Sequence, residues 1–239
     1  PADGPAPVAT VAGRHVFYNN SVYDGSSAVA DARDDAAIAP DKWALLPGQT
    51  ATFANYTGYS RGINGVMLDV RDLPAGTSLD ASDFRFRTSA SASPTSFTTA
   101  VTPSSVTVRR GAGAGGSDRV TITFPDGAVR NTWLQVTMLA NGDTGLSAPD
   151  VSYFGNMVGE TGDRPSRDAD VTAIDYLRTA AALFSNPASI ASRHDHNRDG
   201  RVSVTDLAMV RRNLFTPPLR LITAPAAAPS ATEMVRENA

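Results

Sequence analysis

The sequence contains no cysteine. That excludes disulfides, thiol nucleophiles and thiolate metal sites together, and it leaves the compartment open. Lysine is almost missing too, since Lys42 is the only one. Three histidines (His15, His194 and His196) leave histidine-based catalysis few places to live. Neither sign of charge dominates: 21 Lys and Arg stand against 24 Asp and Glu, a net charge of −3. Composition therefore gives no electrostatic reason to expect a nucleic-acid partner. No run of 18 apolar residues occurs, so no transmembrane helix is expected. The sequence given does not start with Met, and no signal peptide is read at its start. The opening PADGPAPVAT reads as a mature end or as a segment of something longer.

What is present is a globular composition, 41% hydrophobic and 19% charged over 239 residues. This suits one large domain, or a mid-sized domain with a small one. From residue 14 to about 154 short β-rich runs follow one another: HVFY (15–18), TATFANY (50–56), GVMLDV (65–70), FRFRT (84–88), SVTVRR (105–110), RVTITF (119–124) and WLQVTML (133–139). Several alternate. Val120, Ile122 and Phe124 point one way and Thr121 and Thr123 the other; Leu134, Val136 and Met138 alternate with Gln135 and Thr137; Phe84 and Phe86 alternate with Arg85 and Arg87. Period two with one polar face predicts half-buried antiparallel strands. LPGQ, LPAG, GAGAGG, FPDG and NGDTG supply the turns between them. The expected class is mainly β, an antiparallel β-sandwich or jelly roll.

Past residue 156 the texture changes. GNMVGETGDRPSRD reads as a linker, and DYLRTAAALF (175–184) and DLAMVRRNLF (206–215) read as short helices. In the second, Leu207, Val210 and Leu214 fall on one apolar face. Between them stands DHNRDGRVSVTD, residues 195–206. Calcium takes six to eight oxygens, and a twelve-residue loop supplies most of them. With Asp195 at place 1, Asn197 is place 3, Asp199 place 5 and Gly200 the turn at place 6. Arg201 at place 7 offers its carbonyl, Ser203 at place 9 a water, and Val202 at place 8 an apolar contact to a second loop. Asp206 at place 12 opens the helix, where its charge also suits the helix dipole. EF-hands usually carry Glu there, and no incoming helix precedes Asp195.

A loop followed by one helix, with Asp at place 12, resembles the type I dockerin repeat, and DHNRDGRVSVTDLAMVRRNLF is similar to that unit throughout. Dockerins carry two units. VTAIDYLRTA (171–180) aligns with VSVTDLAMVR (202–211), matching Asp175 to Asp206. Upstream the first unit is eroded: counting back from Asp175 puts Arg164 at place 1. One inserted residue makes Asp163 place 1 and Asp168 place 5, with the Asp170 carbonyl near place 7 and Ala169 in place of the turn glycine. Glu160 is a further carboxylate within reach. The resemblance thus implies one calcium ion at Asp195–Asp206 and a second, with altered ligands or none, at Asp163–Asp175.

HVFYNNSVYDG, DDAAIAPDKWALLPGQTATFANYTGYSRGINGVMLDV, GSDRVTITFPDGAVRNTWLQVTML and TGLSAPDVSYFGN resemble a module found just before a dockerin at the C-termini of large secreted bacterial proteins. It implies an extracellular or cell-surface setting and no reaction. Other motifs compete weakly. GYSRG (58–62) fits G-x-S-x-G, but a strand rather than a helix follows it. GAGAGGSDR lacks the Lys-Ser/Thr pair of a phosphate cradle and reads as a hairpin. NNSVYDG and the Asp31, Asp34 and Asp35 cluster are read as turn chemistry, with a further calcium in the sandwich as the alternative. Trp43, Tyr56 and Tyr59 form a candidate sugar platform, whereas Trp133 reads as core.

The division expected is a flexible lead-in (1–13), a β-sandwich (14–155), a small α-helical, dockerin-like and EF-hand-like calcium module (156–224) and a flexible tail (225–239). The expected function is a non-catalytic, secreted, calcium-binding assembly or anchoring protein. By the resemblance, Ile174, Arg178, Thr205, Arg211 and Arg212 would meet a cohesin-like β domain or a self-assembly partner. The alternative is a polysaccharide-binding sandwich that a dockerin attaches to a degradative complex.

Overall fold

The alternation read from the sequence becomes two stacked sheets. In the computed structural model, which describes residues 8–89, 97–162 and 168–225, the first sheet holds β1 (Thr10–Val16), β3 (Gly65–Arg71), β7 (Asp118–Thr123) and β6 (Ser105–Arg109) in the order β1-β3-β7-β6. The second holds β2 (Tyr56–Thr57), β9 (Asp150–Asn156), β8 (Trp133–Met138), β4 (Phe84–Ser89) and β5 (Thr99–Ala100) in the order β2-β9-β8-β4-β5. All named neighbours are antiparallel except β2 and β9. Register puts like faces together: Leu68 lies opposite Val120, Phe86 opposite Val136 and Leu134 opposite Phe154. Their side chains form one buried core between the sheets, each large apolar group contributing about 1.5–3 kcal/mol.

The five-stranded sheet is also covered on its outer face. Trp133, Tyr153 and Tyr56 pack there against Val171, Val210, Leu219 and Ile222 from the C-terminal region. The Trp133 indole N–H donates to the Arg220 carbonyl at 2.7 Å. This double burial explains a strand that alternation did not reveal. In β9 every residue from Ser152 to Asn156 is buried, so no polar face marks it.

Several expectations are corrected. Strand β1 begins at Thr10, inside the stretch expected to be a flexible lead-in, because Thr10 and Val11 pair with Arg71 and Val70. Within TATFANY only Tyr56 enters a strand. Phe53–Asn55 is a 3-10 turn, started by the Thr52 hydroxyl on the Ala54 N–H and by Asn55 Oδ1 on the Thr52 N–H. The first part of the expected linker is core, since Met157 and Val158 are fully buried. Tyr56 and Tyr59 are buried rather than on the surface, which leaves Trp43, 63% exposed, alone of the three sugar-platform aromatics. Trp133 is core as expected, and the glycine-rich run joins β6 to β7 as a hairpin.

Helices α1 (Ala173–Ala181) and α2 (Val204–Asn213) start two residues before the runs read as helical. The capping oxygens of Thr172 and Ser203 accept the N–H groups of Ile174 and Thr205 and fix the starts there. Val210 is fully buried, while Leu207 and Leu214 are half-buried beside it. β10 (Asp168–Ala169) pairs with β11 (Leu219–Arg220), clasping the entry to α1 against the exit from α2. Beyond β11 the chain returns to the sandwich: Ala51 N–H meets the Ile222 carbonyl at 2.9 Å and Gly48 N–H the Ala224 carbonyl at 3.0 Å.

Candidate metal centre

The loop from Asp195 to Asp206 closes on itself. The Asp195 carboxylate is buried and accepts the N–H groups of Asp199 (3.2 Å) and Gly200 (3.0 Å). Gly200 makes the turn at φ +81°, a left-handed conformation that favours glycine. Asn197 Oδ1 also accepts the Asp199 N–H, its amide donates to Asp199 Oδ2 at 2.8 Å, and Asp199 Oδ1 accepts the Arg201 N–H at 3.0 Å. At the far end Asp206 Oδ1 accepts the N–H groups of His196 (2.8 Å) and Asn197 (3.3 Å), while Oδ2 takes the Ser203 N–H and hydroxyl. Place 12 is thus folded back beside places 2 and 3.

The donor chemistry fits a calcium ion. Asp195, Asn197, Asp199, the Arg201 carbonyl and Asp206 are all oxygen donors. Burial pushes the Asp195 carboxyl up to about 6; Arg198 lowers it, and the charges of Asp206 and Asp199 raise it further. A cation would relieve that crowding. Among the described residues, though, no three acidic or histidine side chains gather closely enough to hold an ion by themselves. Drawing Asp206 into the ligand set would need its oxygens turned from the amide donors they now accept.

Sequence reasoning missed the residues that seat this loop on the sandwich. His196 and Arg198, at places 2 and 4 between the first three candidate ligands, turn to the sandwich instead. The His196 carbonyl accepts the Ser60 N–H at 2.8 Å, and its Nδ1 lies 3.2 Å from the Gly58 carbonyl oxygen. Burial takes the His196 imidazole down to about 3. The Arg198 carbonyl accepts the Val22 N–H at 3.0 Å, and its guanidinium donates to the Tyr18 hydroxyl at 2.8 Å while lying over the Tyr18 ring. Tyr23 donates to the Ala188 carbonyl at 3.0 Å and reaches Asp195 Oδ2 at 3.4 Å. Ser60, the nucleophile position of G-x-S-x-G, sits in a turn and offers its backbone to the loop. Among the described residues Val202 does not pair with the first loop. It exchanges backbone bonds with residues 184 and 185, just past α1.

The first unit repeats part of this pattern. Asp175 is fully buried; its Oδ1 accepts the Thr161 N–H and hydroxyl, and its Oδ2 those of Thr172. Thr161 therefore stands where His196 stands in the second unit, and Glu160 takes the position of Asp195, with Oε1 accepting the Gly162 N–H at 2.9 Å. Asp163, expected at place 1, lies outside the described residues. Asp168 belongs to β10, where the Arg220 Nε stands 3.6 Å away, and Asp170 is half-buried just beyond it. The proposed docking residues Ile174, Arg178, Thr205, Arg211 and Arg212 are all exposed, whereas Asp175, Thr179, Asp206, Val210 and Asn213 face inward.

Compared with known families, residues 166–215 match the dockerin type I domain, as the loop-helix sequence indicated. No curated protein and no solved structure matches the chain. Dockerin type I domains are non-catalytic, calcium-binding modules that dock one protein onto another, and both helices lie within the matched segment.

Proposed function

We propose that this chain is a secreted, non-catalytic anchoring protein, in which a calcium-ordered loop-helix pair presents a docking face and a β-sandwich serves as its base. The observation that carries this reading is a division of surfaces. The loop Asp195–Asp206 spends its outward backbone and side chains on the sandwich through Gly58, Ser60, Val22 and Tyr18. The opposite sides of α1 and α2, with Ile174, Arg178, Thr205, Arg211 and Arg212, stay open. Cations near the last turn of a helix suit its dipole, and on α2 Arg211 and Arg212 add a positive rim for an acidic partner face. In this reading calcium neutralises the crowded carboxylates and fixes the angle at which the helices are offered. Asp195, Asn197, Asp199, Asp206 and the Arg201 carbonyl hold the ion. A second ion in the first loop would draw on Glu160 and Asp175, with Asp163, Asp168 and Asp170 as the remaining candidates.

The partner is a cohesin-like β domain on another protein at the cell surface or in an extracellular assembly. Immobilised cohesin-type domains should retain the chain in calcium and release it in chelator. Arg211→Ala with Arg212→Ala should abolish retention with at most a small fall in melting temperature, from the charges lost at the helix end. Unchanged retention by that double variant, or equal retention in chelator, defeats the reading. The polysaccharide alternative keeps one exposed aromatic, Trp43; selective retention on an insoluble glycan, lost in Trp43→Ala, would favour it instead.

A further inference from the structure

Six helical turns among the described residues open with the same reciprocal cap, and in five of them the third residue is an aspartate: Asp24, Asp34, Asp83, Asp175 and Asp206. All five are buried. Four have donors on both oxygens. For Asp24 these are the N–H groups of Asn20, Ser21 and Ser27, and for Asp83 the Asp80 N–H and the Asn141 amide; Asp175 and Asp206 have theirs as described above. Asp34 breaks the pattern. Its Oδ2 accepts the Asp31 N–H at 2.9 Å, but its Oδ1 is buried with no donor.

A buried carboxylate oxygen without a partner is costly, and more so beside a second negative charge. The turn that holds Asp34 packs against the turn that holds Asp24, itself wholly buried. The nearby arginines are engaged elsewhere: Arg33 grips Asp31 and Arg109 grips Asp35. Burial pushes the Asp34 carboxyl up to about 6; the Asp31 N–H and Arg109 oppose the shift, while Asp24 and Asp31 add to it. Just before the Asp24 turn, Asn19 carries another buried oxygen, Oδ1, with no donor. These unmet atoms are acceptors. The shortage is of positive charge, and the two atoms left facing it, Asp34 Oδ1 and Asn19 Oδ1, are both oxygens that could ligate a cation.

We propose that Asp34 Oδ1, with the Asp24 carboxylate and neighbouring neutral oxygens, holds a calcium ion inside the sandwich, separate from the loop-helix units. An all-oxygen donor set with few charges suits a hard divalent cation of flexible coordination. The ion would tie the turn at residues 22–24 to the turn at 32–37. The first of these carries Val22 and Tyr23, which receive the Asp195–Asp206 loop. The site therefore underpins the surface on which the helical unit is mounted. It does not rest on the docking reading.

The test is a calcium titration of the full chain after chelator stripping, by calorimetry, on wild type, Asp34→Asn, Asp199→Ala and the double variant. Asparagine keeps an oxygen for the Asp31 N–H and removes the charge. Asp34→Asn should bind one ion fewer than wild type, Asp199→Ala one fewer, and the double variant two fewer. Equal stoichiometry in wild type and Asp34→Asn overturns the proposal. Should Asp34→Asn fail to fold, wild-type crystals grown in calcium decide. An anomalous peak about 2.3–2.6 Å from Asp34 Oδ1 supports the site; a water there, or nothing, refutes it.

Discussion

The carbonyl oxygen of Glu160 and the imidazole of His196 close over the same face of Gly58, one from each loop-helix unit. A Cβ at Gly58 would lie 2.8 Å from that carbonyl and 3.2 Å from His196 Nδ1. Both loops thus register against one point of the sandwich. Gly58→Ala should push them off it at a cost of about 1–3 kcal/mol, a fall in Tm of roughly 3–10 °C for a chain of this size. Calcium affinity should weaken in the same variant. A Tm and an affinity both equal to wild type would show that the loops do not need this contact.

Calcium should stabilise the chain by mass action. At a hundredfold excess over Kd the gain is about 2.7 kcal/mol per site, or roughly 5–10 °C in Tm. Asp199→Ala, at an exposed position whose loss opens no cavity, should remove the share due to the second loop. Melting curves with calcium and with chelator measure both. Superimposable wild-type curves in the two conditions would sink the calcium assignment.

Acid should unpick the first sheet at a definite place. Burial raises the Asp69 carboxyl, but Arg119 at 2.8 and 2.9 Å, the Ala114 N–H and His15 outweigh it and hold it down at about 2. An unfolded Asp ionises near 3.9. Between about 4 and 2 the unfolded chain therefore binds more protons than the folded one. The stabilisation, on the order of 2 kcal/mol, is complete above about pH 4 and is lost as pH falls through about 2. Urea unfolding in chelator at pH 7, 4 and 2.5 should show wild type losing more stability across the lower interval than Asp69→Asn. Parallel losses in the two proteins would contradict the assignment.

Lys42 should report opening of the junction. Its Nζ lies 3.3 Å from the Phe53 ring centroid and donates to the Phe53 carbonyl at 3.0 Å, and Arg193, just before the second loop, covers the same ring. Burial brings the amine down to about 8. As the sole lysine it can be followed by acylation and mass spectrometry. Its modification should be slow in calcium and faster by tenfold or more in chelator, as local opening takes over. One rate in both conditions would mean that the junction stays shut without the ion.

The sandwich was legible where polar and apolar residues alternate, as in β7, β8 and β4, although of the three only β4 carries an exposed residue, Arg85, and Thr121, Thr123 and Thr137 are buried. β9 was hidden because the helical unit covers its outer face, so the period-two signal vanished. For the same reason Met157 and Val158 passed for linker, although each is buried. In the site, the twelve-place spacing marked out Asp195–Asp206, which closes on itself by hydrogen bonds. In the first unit the bonds of Thr161 to Asp175 are not announced by spacing, since Glu160 to Asp175 is longer than a twelve-place count, and Asp163 lies outside the described residues. His196 and Arg198 went unseen because their work is done toward another part of the chain, which no local pattern records.

The clasp of β10 on β11, followed by the return of residues 222–224 to Gly48, Gln49 and Ala51, has a mechanical consequence. The helical unit leaves the sandwich at the end of β9 and is tied to it again at Ala224. Tension along the backbone between the sandwich and Ala224 is therefore borne by backbone hydrogen bonds at residues 48–51, and the loop Asp195–Asp206 lies off the line of force. A partner gripping α1 and α2 would pull on a loop moored at both ends, in which neither helix need unwind for the load to pass.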